Sequence, residues 1–536
     1  MDNLTAGSKR ENTALYYIIG IALLWLSTYF GFRFFQYYVD PDATSYFNII
    51  KNYLAGNYED AVNAFWSPMG CWLTVLLVKV TNLPLFSAAI IVNSLAAAAT
   101  LIVSQSLFFK FRTQKLERWG FTIACMIFWV YATYKQAFTD IWQYFFILLG
   151  IHVLLKEQFN KKPLWWLTMG VIAALAYFSK AYSFYFFPLM TAAVLFIKLK
   201  HQSEFTLKKW VSINAVVVVT MLAIAFPWLY ILHEKYQIWT TSTAGKLNLS
   251  WWLVGRPEHR ADVTVLWPPP HKTSLYSFED PYVIQGHFAH FWDSPKLFAR
   301  FLLRIGFNVI DWVKCCNIIS PFYFVIWLLS IVALFRKRMQ EPICSLPVKI
   351  IAAVFLIYPC AFWIMTFDNA RYLWITIPLS MILGMVLAER MLWPYFSQRI
   401  RQIFIAVFFF SYIPWIVTDA RTMVNTGKEE YAVAEQIKGL NVKGSFATNY
   451  AMDGDMGQYI LRVAYFSQCP IYCYGENKWT TKEILQDARR YNVDYYFYFY
   501  ETADSDFQLK GLAGEDLPEL SNNSIKGLKI FKLNNR

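Results

Sequence analysis

Charged residues are scarce. Asp, Glu, Lys and Arg make up 16% of the 536 residues, whereas soluble domains carry about a quarter. Hydrophobic residues reach 57% and aromatics 19%, and the mean hydropathy is +0.33. The apolar runs are too long and too numerous for a chain of soluble domains. Acidic residues are the scarcer sign, 36 against 49 basic ones, for a net charge of +13. That excess does not point to nucleic acid, because the Lys and Arg residues gather in short loops between apolar runs, which is a mark of membrane topology. Cysteine is also sparse, with eight in all, and a disulfide framework is not expected. Cys71, Cys125, Cys344 and Cys360 lie in or beside apolar segments, where a thiol behaves as a small hydrophobe. Cys469 and Cys473 stand four apart in a strand-like stretch. Extended chain separates them by about 13 Å, against a disulfide limit of about 7 Å, so they pair only if CPIYC turns. A cleavable signal peptide is lacking too. Lys9 and Arg10 precede the apolar run 14–34, which has no small-residue cleavage site and reads as an uncleaved anchor. No internal repeat stands out; an inverted repeat would have favoured a transporter.

What is present is a series of apolar segments. Spans are expected at about 14–34, 84–109, 119–134, 141–156, 163–179, 181–198, 210–232, 317–335, 348–367, 372–389 and 402–418. With the N-terminus inside, five basic clusters fall on the cytoplasmic face: 110–118, 156–162, 198–209, 336–338 and 390–401. The short outer turns hold only Lys135, Lys180 and Arg371. Residues 67–81 are apolar as well, but counting them as a span would invert every later loop. They are read as an interfacial or re-entrant helix with Trp66 and Trp72 at headgroup depth. The reading is an all-α polytopic membrane protein of about eleven transmembrane helices, with a small C-terminal α/β extracytoplasmic domain. Residues 1–418 form the membrane domain, with outer loops 35–83 and 233–316, and 419–536 form the second domain. In that second domain, helix-like runs (KEEYAVAEQIKGL, TTKEILQDARRY) alternate with strand-like ones (GSFATN, CPIYCYG, VDYYFYFY, LKIFKL).

The first outer loop begins Asp40-Pro41-Asp42 and continues with apolar residues at helical spacing, Phe47, Ile50 and Leu54. Asp42 sits where an N-cap belongs. A carboxylate at a membrane surface is also a candidate general base for an acceptor hydroxyl or amine. Lys180 stands between two closely spaced spans and Arg371 opens another. Interfacial anchoring accounts for such cations, as does stabilisation of a leaving phosphate. Residues 294–313 read as an amphipathic helix carrying Arg300 and Arg304, lying on headgroups. Asp453-Gly454-Asp455 reads as a turn. His259, His271, His287 and His290 lack zinc-ligand spacing.

In order and spacing, four stretches resemble the GT-C glycosyltransferases, in the branch of protein O-mannosyltransferases and aminoarabinose transferases (glycosyltransferase family 39-like). These are Asp42 with Tyr46 four residues on, followed by a helix ending Leu-Ala-Gly and then Trp-Ser-Pro; Asp140 in TDIWQYFFILLG; Lys180 in YFSKAYSFYFFP; and Arg371-Tyr372 in DNARYLWITIP. The resemblance covers the whole chain in layout. It implies transfer, with inversion, of a sugar from a polyprenyl-phosphate donor to an unknown acceptor (lipid, glycan or protein) on the non-cytoplasmic face of a cell membrane. Asp42 matches the family's catalytic acid residue. Ala43 stands where a second carboxylate often follows, which leaves Asp40 or Asp140 as candidates for that role. Arg371, Lys180, Tyr46, Tyr372 and Arg304 are placed on the lipid-phosphate and donor side. No cofactor and no metal ligand are assigned, although the carboxylates of Asp40 and Asp42 are of the kind that suits a divalent cation. Two alternatives stand beside this reading: a surface-glycan polymerase or ligase using a polyprenyl-diphosphate oligosaccharide, and a lipid-linked-sugar transporter. The second would place ionisable groups in mid-span, whereas nearly all charges here lie at span ends.

Overall fold

The computed structural model describes residues 13–135, 140–255, 265–285, 288–335, 345–365, 367, 369–452, 454–475, 479–500 and 507–533. Most of these are helical. The apolar runs fall on the helices Thr13–Phe35, Leu85–Phe111, Lys115–Lys135, Asp140–Leu154, Pro163–Ser179, Tyr182–His201, Leu207–Tyr236, Tyr323–Phe335, Leu346–Ile357, Thr376–Met391 and Gln398–Phe410. Among the described residues, six helical stretches are long and apolar enough to cross a membrane, or seven if Pro295–Ile319 and Tyr323–Phe335, bent by 111°, count as one. The chain is an integral, multi-pass membrane protein. The number eleven rests on the sequence, since length and apolarity alone mark six or seven. Asp140–Leu154, at 15 residues, rises only about 23 Å against about 30 Å of hydrocarbon. The helix Met69–Thr81 has 13 residues and rises about 20 Å, shorter still.

The Cα positions divide into two compact units. One comprises residues 1–33, 89–226 and 305–422; the other comprises 34–88, 227–304 and 423–536. The two long loops therefore group with the C-terminal segment.

The first unit is a helical bundle. Its helices come close where a side chain is missing: a Cβ on Gly170 would stand 2.5 Å from the Cβ of Thr220 and 2.9 Å from the Val217 carbonyl oxygen. Buried hydroxyls are satisfied within their own helix, as with Thr100 donating to Ala96 O at 2.6 Å and Ser330 to Ile326 O at 2.7 Å. Arg112, almost fully buried, pairs with Glu117 and Glu389. A buried guanidinium is tolerable only with such partners.

The second unit holds a three-stranded sheet. β1 (Phe446–Thr448) pairs parallel with β2 (Tyr495–Phe499), and β2 pairs antiparallel with β3 (Leu528–Lys532). Alternate residues serve two cores. Phe446, Phe497 and Ile530 face one that includes Leu275 and Tyr276; Ala447, Tyr496 and Phe531 face another that includes Leu266. The second long loop thus contributes to both. It is also stitched by backbone: Trp267 and Cys473 exchange N–H···O bonds of 2.7 and 3.1 Å, and Ile471 donates to Leu275 O at 2.8 Å. Cys469 and Cys473 are free thiols. The helices expected at KEEYAVAEQIKGL and TTKEILQDARRY are Lys428–Gly439 and Thr481–Arg490, the latter opened by a Thr480/Glu483 capping box. A further helix, Gly454–Ser467, buries Ile460, Leu461, Val463 and Ala464. Asp455 lies in its first turn rather than in the turn expected there, and Asp453 lies outside the described residues.

Gly427 joins the start of the C-terminal segment to the start of the first loop. Its φ is +87°, and a Cβ there would lie 2.0 Å from the Tyr37 carbonyl oxygen. Asn425 N–H donates to Phe34 O at 3.1 Å beside it. Gly427→Ala is expected to cost more than about 2 kcal/mol, from left-handed strain and overlap together. The check is thermal unfolding in detergent: a melting temperature equal to that of wild type would show that Tyr37 yields without cost.

Candidate active site

The candidate residues fall into two groups, one in each unit. In the second unit, Asp40 and Asp42 open the helix Pro41–Ala55. The cap is Asp40, not Asp42: its Oδ1 accepts the Asp42 N–H at 3.0 Å, with Pro41 at the first helical position. Proline has no N–H to offer and is pre-set in φ, so it fixes where the helix begins. Asp42 lies in the first turn, its side chain not spent on the cap.

The rest of this helix is held by the second long loop. Ser45 Oγ lies 2.8 Å from the Tyr276 hydroxyl, which also donates to Pro41 O at 3.3 Å. Burial pushes the Tyr276 hydroxyl well up, with the Asp42 charge acting in the same direction. One turn after Asp42, Tyr46 is buried with its ring 5.0 Å from Trp66. Asn48 donates to Glu279 Oε2 at 2.8 Å and to Thr273 O at 2.7 Å. Next to Glu279, the fully buried Asp280 accepts from the Tyr236 hydroxyl at 2.5 Å and faces Lys235 and His271, each at 3.3 Å. Arg304 places its guanidinium carbon 3.2 Å from the Trp252 ring centroid, a cation–π contact. Arg300 donates to Leu253 O at 2.7 Å. Among the described residues, no group of three or more His, Cys, Asp or Glu side chains is arranged to hold a metal ion. His259 and His287 lie outside the described residues.

In the first unit the structure brings Asp140, Lys180, Arg371 and Tyr372 together. Lys180 Nζ is ion-paired to the buried Asp140 and stands 5.4 Å from the Tyr372 ring. Arg371 stands 5.6 Å from the same ring, which stacks on Phe362 at 4.7 Å. Tyr144 donates to Arg371 O at 2.6 Å, and Asn369 Oδ1 accepts the Arg371 N–H at 2.9 Å. The turn carrying Arg371 is thereby fixed through its backbone.

Sequence reasoning missed Glu279, Asn48, Tyr276 and Tyr144. The one available signal was the adjacent acids Glu279 and Asp280, in a loop otherwise rich in aromatics, His and Pro.

No protein-family model matches the chain, and no curated protein matches its sequence. Solved structures do match. Cupriavidus metallidurans ArnT, an aminoarabinose transferase, bound to undecaprenyl phosphate, is similar over 97% of this chain and 98% of its own at 12% identity, with a TM-score of 0.51. Its apo state gives 0.54 at 12% identity over 97% of both chains. The apo Archaeoglobus fulgidus oligosaccharyltransferase gives 0.52 at 11% identity, over 92% of this chain and 70% of its own.

The chain shares the fold of these structures, which are GT-C membrane glycosyltransferases. At 11–12% identity the likeness carries the GT-C architecture and not the role of any side chain. What the side chains can do follows from their own geometry: one group offers a carboxylate on a capped helix, and the other offers two cations beside a tyrosine.

Proposed function

We propose that the protein is a glycosyltransferase that moves a sugar from a polyprenyl-phosphate donor to an acceptor on the non-cytoplasmic face, with inversion. The observation carrying this reading is the end-to-end likeness to a GT-C structure that holds undecaprenyl phosphate. The Lys180 and Arg371 cations beside Tyr372 supply what such a ligand requires. In the proposed reaction an acceptor oxygen or nitrogen attacks the anomeric carbon. The bond from that carbon to the phosphate oxygen breaks, and its electron pair leaves with the polyprenyl phosphate. Asp42 takes the proton from the acceptor. The phosphate departs as an anion, and in a low-dielectric setting nearby guanidinium and ammonium groups offset its charge. Asp140 would then serve Lys180, orienting the ammonium, rather than act as a second base.

The test is release of undecaprenyl phosphate by the purified protein in lipid nanodiscs. The donors would be a panel of undecaprenyl-phosphoryl pentoses and hexoses, with an envelope glycolipid extract as acceptor. At least one donor should release undecaprenyl phosphate, in step with new glycosylated product by mass spectrometry. No release from any donor, together with unchanged surface glycans in cells lacking the gene, would sink the enzyme reading.

A further inference from the structure

Glu279 belongs to the second long loop and is almost fully buried, at 3% exposure. Donors converge on its carboxyl group, among them the Leu275 N–H on Oε1 at 2.7 Å and Asn48 Nδ2 on Oε2 at 2.8 Å. Its own carbonyl accepts from Asn63 Nδ2 at 2.6 Å, so the residue is fixed at both ends. Asn48 lies on the helix that Asp42 opens, six residues on. The same loop touches the first turn of that helix through Tyr276, which reaches Ser45 and Pro41. The loop thus grips the helix at two levels, one beside Asp42 and one below it.

We propose that Glu279 is a positioning residue for Asp42: by holding Asn48 it sets the rotation and axial position of the helix Pro41–Ala55, and so where the Asp42 carboxylate points. This rests on the reading of Asp42 as the base. The geometry demands a group that accepts on both oxygens, and a carboxyl does so in either protonation state, because its hydroxyl oxygen keeps an acceptor lone pair. Glutamine would turn an NH₂ toward the Asn48 NH₂ or toward the Leu275 N–H, leaving a buried donor without an acceptor.

Burial pushes Glu279 up to about 8, against the lowering effects of the Leu275 amide, Asn48, Ser274 and Lys51. Lys51, on the same helix, is driven down to about 8 by burial, with Glu279 raising it and Lys438 lowering it. Lys51 also donates to Gln468 Oε1 at 2.7 Å and lies 4.6 Å from the Tyr465 ring. Other charged groups on these elements include Asp40, at the cap, Asp42, acting on Tyr276, Glu59 and Lys272, and Asp60, His271, Lys235 and Asp280, which engage one another. The signs are opposite. The raised Glu279 contributes stability that is complete below the ordinary carboxyl range and is lost as pH rises through about 8. Lys51 contributes stability that is complete above the ordinary lysine range and is lost as pH falls through about 8. Glu279→Gln removes only the first.

The experiment uses the full chain in nanodiscs. Hydrogen exchange is followed over 41–55 at pH 6.5 and 9, corrected for intrinsic rates, beside steady-state turnover of the undecaprenyl-phosphoryl sugar selected by the donor panel. Glu279→Gln should speed exchange of this helix about tenfold at the lower pH. It should lower kcat about tenfold with donor KM changed by less than about twofold, and it should lose the part of the alkaline fall in rate centred near 8. Asn48→Ala breaks the same contact from the helix side and carries the test should Glu279→Gln fail to fold. Unchanged kcat and pH profile in both variants, with Asp42→Asn inactive, overturns the positioning role and leaves the base assignment standing. Turnover retained in Asp42→Asn overturns the base assignment itself.

Discussion

Asp42→Asn is expected to lower turnover by about 10³-fold, the scale of a lost general base, while donor affinity stays near that of the wild type. The neighbouring acid supplies the control. Asp40 caps the helix by accepting the Asp42 N–H. Asn caps nearly as well as Asp, so Asp40→Asn should keep most of the activity, whereas Asp40→Ala should cost about 1 kcal/mol of stability. The two variants at position 40 therefore report capping, and the variant at 42 reports chemistry. The substitution at 42 preserves size, and no cap bond is lost with it. The measurement is initial-rate release of undecaprenyl phosphate, with donor binding followed separately. An Asp42→Asn protein that turns over at the wild-type rate would remove Asp42 from the reaction.

The second large effect is expected at Arg371. Arg371→Gln should lower kcat/KM for the donor by about 10²- to 10³-fold, as when a preorganised group that stabilises a leaving anion is lost. Arg371→Lys should recover part of it, because an ammonium supplies charge without the planar fork that meets two phosphate oxygens. The backbone of Arg371 is pinned by Tyr144 and Asn369, so the turn should survive the change. Lys180→Gln should cost less than Arg371→Gln, since Lys180 already shares its charge with Asp140. Inhibition by free undecaprenyl phosphate is the accompanying readout. If it is undiminished in Arg371→Gln, the guanidinium does not meet the phosphate.

The helices were legible because hydropathy is a local signal. The runs at 14–34, 163–179 and 181–198 match Thr13–Phe35, Pro163–Ser179 and Tyr182–His201 to within three residues. The cations at helix mouths were legible for the same reason, as isolated charges against an apolar background. The cap was misplaced although its signal was present: in Asp40-Pro41-Asp42 the proline marks the first helical position, and the acid before it is the cap. The pairing of Lys180 with Asp140, forty residues apart, follows from packing and left no mark on either segment. Glu279 and Asn48 are 231 positions apart. Nothing local to the YFNII stretch of the helix says which loop will grip it, and a buried glutamate reads like any surface one until its partners are known. Gly454–Ser467 escaped notice because its apolar stripe is short and begins at a glycine that looks like a turn.

The stitching of Trp267 to Cys473 and of Leu275 to Ile471 has a consequence for biosynthesis. The unit containing Asp42 is assembled from three separated stretches of chain, 34–88, 227–304 and 423–536. Its two hydrophobic cores draw on both the second loop and the final strand. Neither core can close until β3 has been made, so the second loop, which grips the helix carrying Asp42, waits incompletely supported until then. A chain cut after the last apolar helix would therefore lose more than an appended module: it would leave the earlier loops with their apolar faces uncovered, a form that quality-control proteases can be expected to remove.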